Sequence, residues 1–245
     1  MRQDKISTGS YDLNKFFFGG YETDIITTIY GPAGCGKTNL CMMVVASQAK
    51  KGNKIIYIDT EGGFSIERMK QLLEKNNEEL EKVLQNILLL KPISFAEQEE
   101  AFETLLKNVK KGDVSLIIVD SMVMLYRLEL GDAIQSGEDE KIKEVNRKLA
   151  YQLRELNEIA RRQSIPIIIT NQVYSEFISS KDFGQKEKSV SMVGGDLLKY
   201  WSKCLIEIQN KSGKRNLILR KHRSLPEKEI QFEIFNEGIR RRGWI

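Results

Sequence analysis

A chain of 245 residues, 41% hydrophobic and 29% charged, is long enough to bury a proper core and has ordinary globular composition. One histidine, His222, argues against a histidine-based zinc site or a Ser-His-Asp triad; the three cysteines, Cys35, Cys41 and Cys204, lack metal-type spacing and fit reduced thiols in a cytoplasmic protein. A net charge of +4 permits nucleic-acid binding without requiring it, and no apolar run nears the ~20 residues of a membrane helix.

Residues 1–24 carry polar turns and an aromatic knot, Phe16-Phe17-Phe18, expected to pack under a sheet. Residues 25–30 read as an apolar strand, and residues 37–50 as a helix. Between them GPAGCGKT, Gly31 to Thr38, fits the phosphate-loop pattern G-x-x-x-x-G-K-[ST] in the strand–loop–helix context that the motif requires. Gly31, Pro32, Ala33, Gly34, Cys35, Gly36, Lys37, Thr38 and Asn39 are therefore the candidate nucleotide cradle. Lys37 is expected on the β- and γ-phosphates and the Thr38 hydroxyl on Mg²⁺.

Further strands are expected at 54–59, 86–90, 115–120 and 166–171, and helices at 65–75, 77–83, 95–111 and 141–163. Residues 131–140 are polar and acidic and read as a loop. A second, longer loop is expected over 173–193, where apolar periodicity stops. Three strands, at 203–209, 215–221 and 229–235, close the chain as a meander that extends the sheet in antiparallel fashion. Strands alternating with helices imply right-handed βαβ units, a mostly parallel sheet and one domain over residues 1–245.

In such a sheet ligands gather at the carboxyl ends of the strands. Three of those ends carry polar residues here. Glu61, just past Asp59-Thr60, could orient or deprotonate an attacking water. Asp120 ends four apolar residues, placed to hold Mg²⁺ directly or through water; Asn171-Gln172 offer neutral amides that can bond a γ-phosphate.

These stretches, with YIDTEGGFSIERM, LIIVDSMVMLYR, IPIIITNQV, GGDLLKYW and RSLPEKEIQFEIFNEGI, resemble the ATPase core of the RecA/RadA recombinase superfamily over residues 8–239. The short length points to the short archaeal paralogues of RadA. The resemblance implies a RecA-like P-loop core, binding of ATP, Mg²⁺ and DNA, and work in DNA repair and recombination, without room for the recombinases' helix-hairpin-helix domain. It makes Glu61, with Lys37 and Gln172, the catalytic set, Thr38 and Asp120 the Mg²⁺ ligands, and Arg68 the residue that stacks on adenine. It makes residues 126–139, which include Arg127, and 173–193 the two DNA-facing loops. Two departures bear on function. Tyr200 stands where recombinases keep a histidine, and Arg220-Lys221-His222-Arg223 replace an aspartate before the S-x-x-L-P segment. Both positions belong to the intersubunit ATP site of the filament, so their change argues against filament-coupled hydrolysis. The expected function is a slow ATPase that assists a full recombinase. A RecA-fold switch or signalling ATPase without a DNA role is the alternative.

DNA affinity needs cations at phosphate spacing. Candidates are Lys181, Lys186 and Lys188, then Lys211, Lys214 and Arg215, then Arg220, Lys221 and Arg223, and last Arg240, Arg241 and Arg242. No aromatics interleave with these clusters along the sequence, so base stacking is not announced.

Overall fold

The computed structural model describes residues 4–73, 77–174, 191–192, 195–211 and 213–243. In chain order the elements are β1 (Lys5–Ile6), α1 (Tyr11–Phe16), β2 (Tyr21–Glu22), β3 (Ile26–Gly31), α2 (Lys37–Ala49), β4 (Lys54–Asp59), α3 (Ile66–Leu73) and α4 (Asn77–Leu84). Next come β5 (Ile87–Leu90), α5 (Phe95–Val109), β6 (Val114–Asp120), α6 (Met124–Ser136), α7 (Asp139–Gln163) and β7 (Ile167–Tyr174). The last are β8 (Ser191–Met192), α8 (Gly195–Trp201), β9 (Cys204–Lys211), β10 (Lys214–Lys221), β11 (Lys228–Phe235) and β12 (Gly238–Arg241).

The main sheet runs in the order β12-β11-β10-β9-β3-β7-β6-β4-β5. Strands β5, β4, β6, β7, β3 and β9 are mutually parallel, and β10, β11 and β12 add on in antiparallel fashion. The central strands are near-continuous apolar runs because helices cover both faces. Along β4, Ile55 and Tyr57 join the core on one side, with Leu40 and Val44 of α2 and Met69 of α3. Ile56 and Ile58 point the other way, to Phe102 and Leu105 of α5, Leu149 and Leu153 of α7 and Leu198 of α8. Two cores thus sandwich one sheet. They hold its carboxyl edge as a rigid row.

Several expectations need correction. Residues 131–140 are no loop: α6 continues to Ser136, and the break is only Gly137 and Glu138. Buried Leu125, Tyr126 and Ala133 anchor α6, while its acids sit on the solvent side, where polarity marks an exposed helix face as readily as a loop. Gly137, at φ 70°, makes the turn, and its N–H donates to the Ile134 carbonyl. Strand β9 lies parallel to β3, so the antiparallel extension begins one strand later than expected. Within the expected second loop, β7 reaches Tyr174 and pairs with β8; residues 175–190 and 193–194 lie outside the described residues. Of the aromatic knot only Phe17 is buried; Phe18 is 70% exposed with Lys228 over its ring.

Candidate nucleotide-binding site

The phosphate loop joins β3 to α2. Gly34 and Gly36 take φ of 68° and 111°, left-handed values that suit glycine. Gly36 is the N-cap of α2, no side chain caps it, and the first turn of α2 carries no acid. The helix therefore leaves its first N–H groups and positive dipole end to an outside anion. Lys37 is buried and folded back, its Nζ donating to the Gly31 carbonyl at 3.0 Å and the Pro32 carbonyl at 2.9 Å. Cys35 is fully buried, and burial pushes its thiol above the usual value, so it is packing and not a reactive handle.

Sheet register lines up the rest. Gln172 is level with Gly31, and Asp120 with Asp59. Asp120 is 2% exposed; Tyr57 Oη donates to its Oδ2 at 2.9 Å, and Thr170 Oγ1 donates to its Oδ1. Two donors hold this carboxylate in one orientation, and charge-assisted bonds of this kind contribute about 1.5–3 kcal/mol each. Asp59 works differently: its two oxygens accept from the Gly63 and Phe64 amides, both at 3.0 Å. That pins the turn bearing Glu61, and Gly63 then lies so near that an added Cβ would stand 3.1 Å from Thr38 Cγ2. Thr60 ties the two strand ends, donating to the Ser121 carbonyl and accepting from the Ser121 amide, each at 2.8 Å. Residue-by-residue reading named Asp59 and Thr60 as polar residues of a strand end without their bonds, and missed Tyr57 and Thr170 as site supports. Asp59, two residues before Glu61 at a strand end, carried the one legible signal, that of a side chain capping its own turn.

Glu61 and Gln172 meet directly, Gln172 Nε2 donating to Glu61 Oε2 at 3.0 Å. Partial burial, and next the Asp120 charge, hold the Glu61 carboxyl above its ordinary value, while Gln172 and Lys37 pull it down. A base works only when deprotonated, so activity should fall as pH drops through this raised value. The acid limb of kcat/KM is expected above 4.5, the ordinary glutamate value, and should be flat in the residual activity of Glu61→Gln. A pH–rate profile checks it.

Arg68 reaches the site from α3. Its Nε donates to Asn39 Oδ1 at 2.8 Å, and its other nitrogens to Gln71 Oε1 and to the Phe235 and Asn236 carbonyls, at 2.8–3.0 Å. These bonds use the edge of the guanidinium, and stacking on a base would use its face.

The cationic candidates are less available than their sequence suggests. Arg220 pairs with Glu207 at 2.6 Å and with Glu227. Lys221 Nζ donates to the Lys199 and Ser202 carbonyls, both at 2.8 Å, closing the end of α8. Arg223 holds Asp24 through two bonds, at 2.8 and 2.6 Å. Arg240 faces Glu237 at 3.3 Å and Arg242 faces Glu233 at 3.4 Å. Arg127 lies on α6 and is exposed. Lys181, Lys186 and Lys188 lie outside the described residues.

The Rad51 family profile matches residues 2–242. The chain belongs to the Rad51 family, on its RadB branch. Similar proteins include a DNA repair and recombination protein RadB of Methanococcus maripaludis strain C7, 42% identical over 230 residues, covering 93% of this chain and 96% of the relative. The protein of that name from Methanobrevibacter smithii is 38% identical over 240 residues, with 96% and 95% covered. That from Methanocaldococcus jannaschii is 37% identical over 227 residues, with 93% and 98% covered. Members of the Rad51 family are P-loop ATPases of the RecA type, which bind ATP with Mg²⁺. Among the described residues no helix is long and apolar enough to cross a membrane, and no three metal-ligating side chains cluster.

Proposed function

We propose that this chain is a slow ATPase that binds DNA in repair and homologous recombination, acting beside a full recombinase of the RadA type in the cytoplasm and exchanging no strands itself. The observation that carries the reading is the Glu61–Gln172 contact, 3.0 Å, which joins the expected base to the strand leading into residues 173–193. Loss of a γ-phosphate beside Gln172 would release or tighten that contact and pass the nucleotide state to the following segment.

The uncapped start of α2 and the glycine turn fit a triphosphate, and the doubly held Asp120 fits a magnesium ion. Bound Mg²⁺·ATP supplies a phosphoryl group made electrophilic by its counter-ion. Lys37 would leave its two carbonyl partners for the phosphate oxygens; Thr38 and Asp120 would hold the ion, and Glu61 would orient the water. Residues 31–39 form the cradle, and Arg68 borders the base. Arg127, Lys181, Lys186, Lys188, Arg220, Lys221 and Arg223 remain proposed DNA contacts, the last three only after exchanging intrachain partners. We treat residues 1–245 as one ATPase core, able to self-associate. Tyr200 and the 220–223 cluster, unlike the recombinase pattern, support the accessory role. A strand-exchange assay tests it: no joint molecules are expected from this protein alone, with stimulation when a recombinase is present. Joint molecules without recombinase would overturn the accessory assignment.

A further inference from the structure

Away from the nucleotide site, the second half of α7 presents one stripe to solvent: Tyr151, Arg154, Asn157, Glu158, Arg161 and Arg162, spaced three and four apart. Beside it, α8 ends in Tyr200 and Trp201, whose rings meet edge to face at 5.2 Å. Tyr200 is 70% exposed. Lys203, also exposed, opens β9. Two adjoining hollows of about 470 and 430 Å³ share Asn157, Arg161 and Trp201, each inside the range of small-ligand sites.

The charge balance is positive. Glu158 takes Arg162 at 3.0 Å, and Glu155 stands 3.8 Å from Arg154. Asp24 also lines the second hollow, where Arg223 bonds both its oxygens and the Arg161 charge reaches it; Arg161 and Lys203 themselves have no carboxylate within ion-pair distance among the described residues. Arg154 also lies 5.0 Å over the Tyr151 ring, and Tyr151 is itself 47% exposed. Exposed aromatics interleaved with cations are costly on a merely solvated face and useful where bases stack and phosphates follow. An acidic peptide would match the arginines and leave the rings idle.

We propose that this face, built by the second half of α7, the end of α8 and the start of β9, binds single-stranded nucleic acid. Bases stack on exposed Tyr200 and reach the solvent-facing part of half-buried Trp201, whose remainder packs on the core beneath, and the backbone is held by Arg154, Arg161, Arg162 and Lys203. The inference deepens the DNA-binding reading above and rests on it. It also supplies the interleaved aromatics that the sequence-local clusters lack. The face sits at the amino ends of β3, β7 and β9, and the phosphate loop at their carboxyl ends. A six-residue strand separates them by about 20 Å. Nucleotide in the same subunit does not touch this face, so binding here is expected without ATP.

The chain has two tryptophans, so Trp244→Phe leaves Trp201 alone as a reporter. In the full-length protein without ATP, fluorescein-labelled oligo(dT) should bind by anisotropy and quench Trp201 fluorescence. Tyr200→Ala should weaken the binding. Arg161→Glu with Lys203→Glu should weaken it further and flatten the log–log salt slope by about 1.4, roughly 0.7 for each lost phosphate contact. Oligo(dT) binding without quenching, with both variants unchanged, would place DNA elsewhere and overturn this site alone. Equal quenching by poly-glutamate, or variants that change only the oligomeric state, would also overturn it, in favour of an acidic partner or a self-contact. No binding of any DNA in any nucleotide state would remove the repair reading itself.

Discussion

Glu61→Gln should cut single-turnover ATP hydrolysis by about 10²- to 10⁴-fold, the usual contribution of a positioned general base. The substitution keeps the shape and still accepts from Gln172 Nε2, now 3.0 Å from Glu61 Oε2. The turn survives because Asp59, not Glu61, holds the Gly63 and Phe64 amides. Nucleotide affinity should therefore stay within about tenfold, the worth of one altered hydrogen bond. Labelled ATP hydrolysis and a separate binding titration read the two effects apart. Unchanged turnover would recast bound nucleotide as a conformational switch with incidental hydrolysis.

Gly31→Ala is expected to damage the same site by crowding. A Cβ at Gly31 would meet the Ile208 carbonyl oxygen at 2.3 Å and Cys35 Sγ at 2.9 Å. The obstacle is backbone of β9, which is bonded to β3 on one side and to β10 on the other and has nowhere to retreat. Overpacking of this kind costs about 1–3 kcal/mol or more, which for a chain this size lowers Tm by roughly 3–10 °C. Pushing β3 from β9 also shifts the first amide of the phosphate loop, so nucleotide affinity should fall at least about tenfold. Gly131→Ala, within α6, makes the control: its added Cβ meets nothing within 4 Å and its backbone is not left-handed, so melting and ATP affinity should stay near native. Gly31→Ala with native melting and native ATP affinity would refute the argument.

What could be read from the sequence follows the physics of each segment. The expected strand at 54–59 coincides with β4, because KIIYID is a short β-branched run, apolar from Ile55 to Ile58, bounded by turns. The phosphate loop announced itself because glycine, lysine and threonine stand at fixed spacing around an anion. Helix α6 escaped because its three buried residues are outnumbered by polar neighbours. The cations misled for a different reason. Arg223 and its partner Asp24 are 199 residues apart, and Arg220 and Glu207 are 13 apart across two paired strands, so the neutralisation appears only in three dimensions. The face around Trp201 was hidden in the same way, its arginines and rings coming from a helix stripe and a segment some forty residues later.

The position of β3 has a consequence for how the protein is made. Both neighbours of this central strand, β7 and β9, are encoded far downstream, and β9 ends at Lys211. At about 5–20 residues per second, roughly 10–40 s of translation separate Ile26 from Lys211. Until β7 ends at Tyr174, Ile26 and Ile29, fully buried in the finished sheet, have no partner strand on either side, and until β9 follows they have one side open. The phosphate loop is therefore synthesised well before the two strands that fix its position in the sheet. Nucleotide can stabilise the finished fold, but it has no site on the nascent chain to guide assembly.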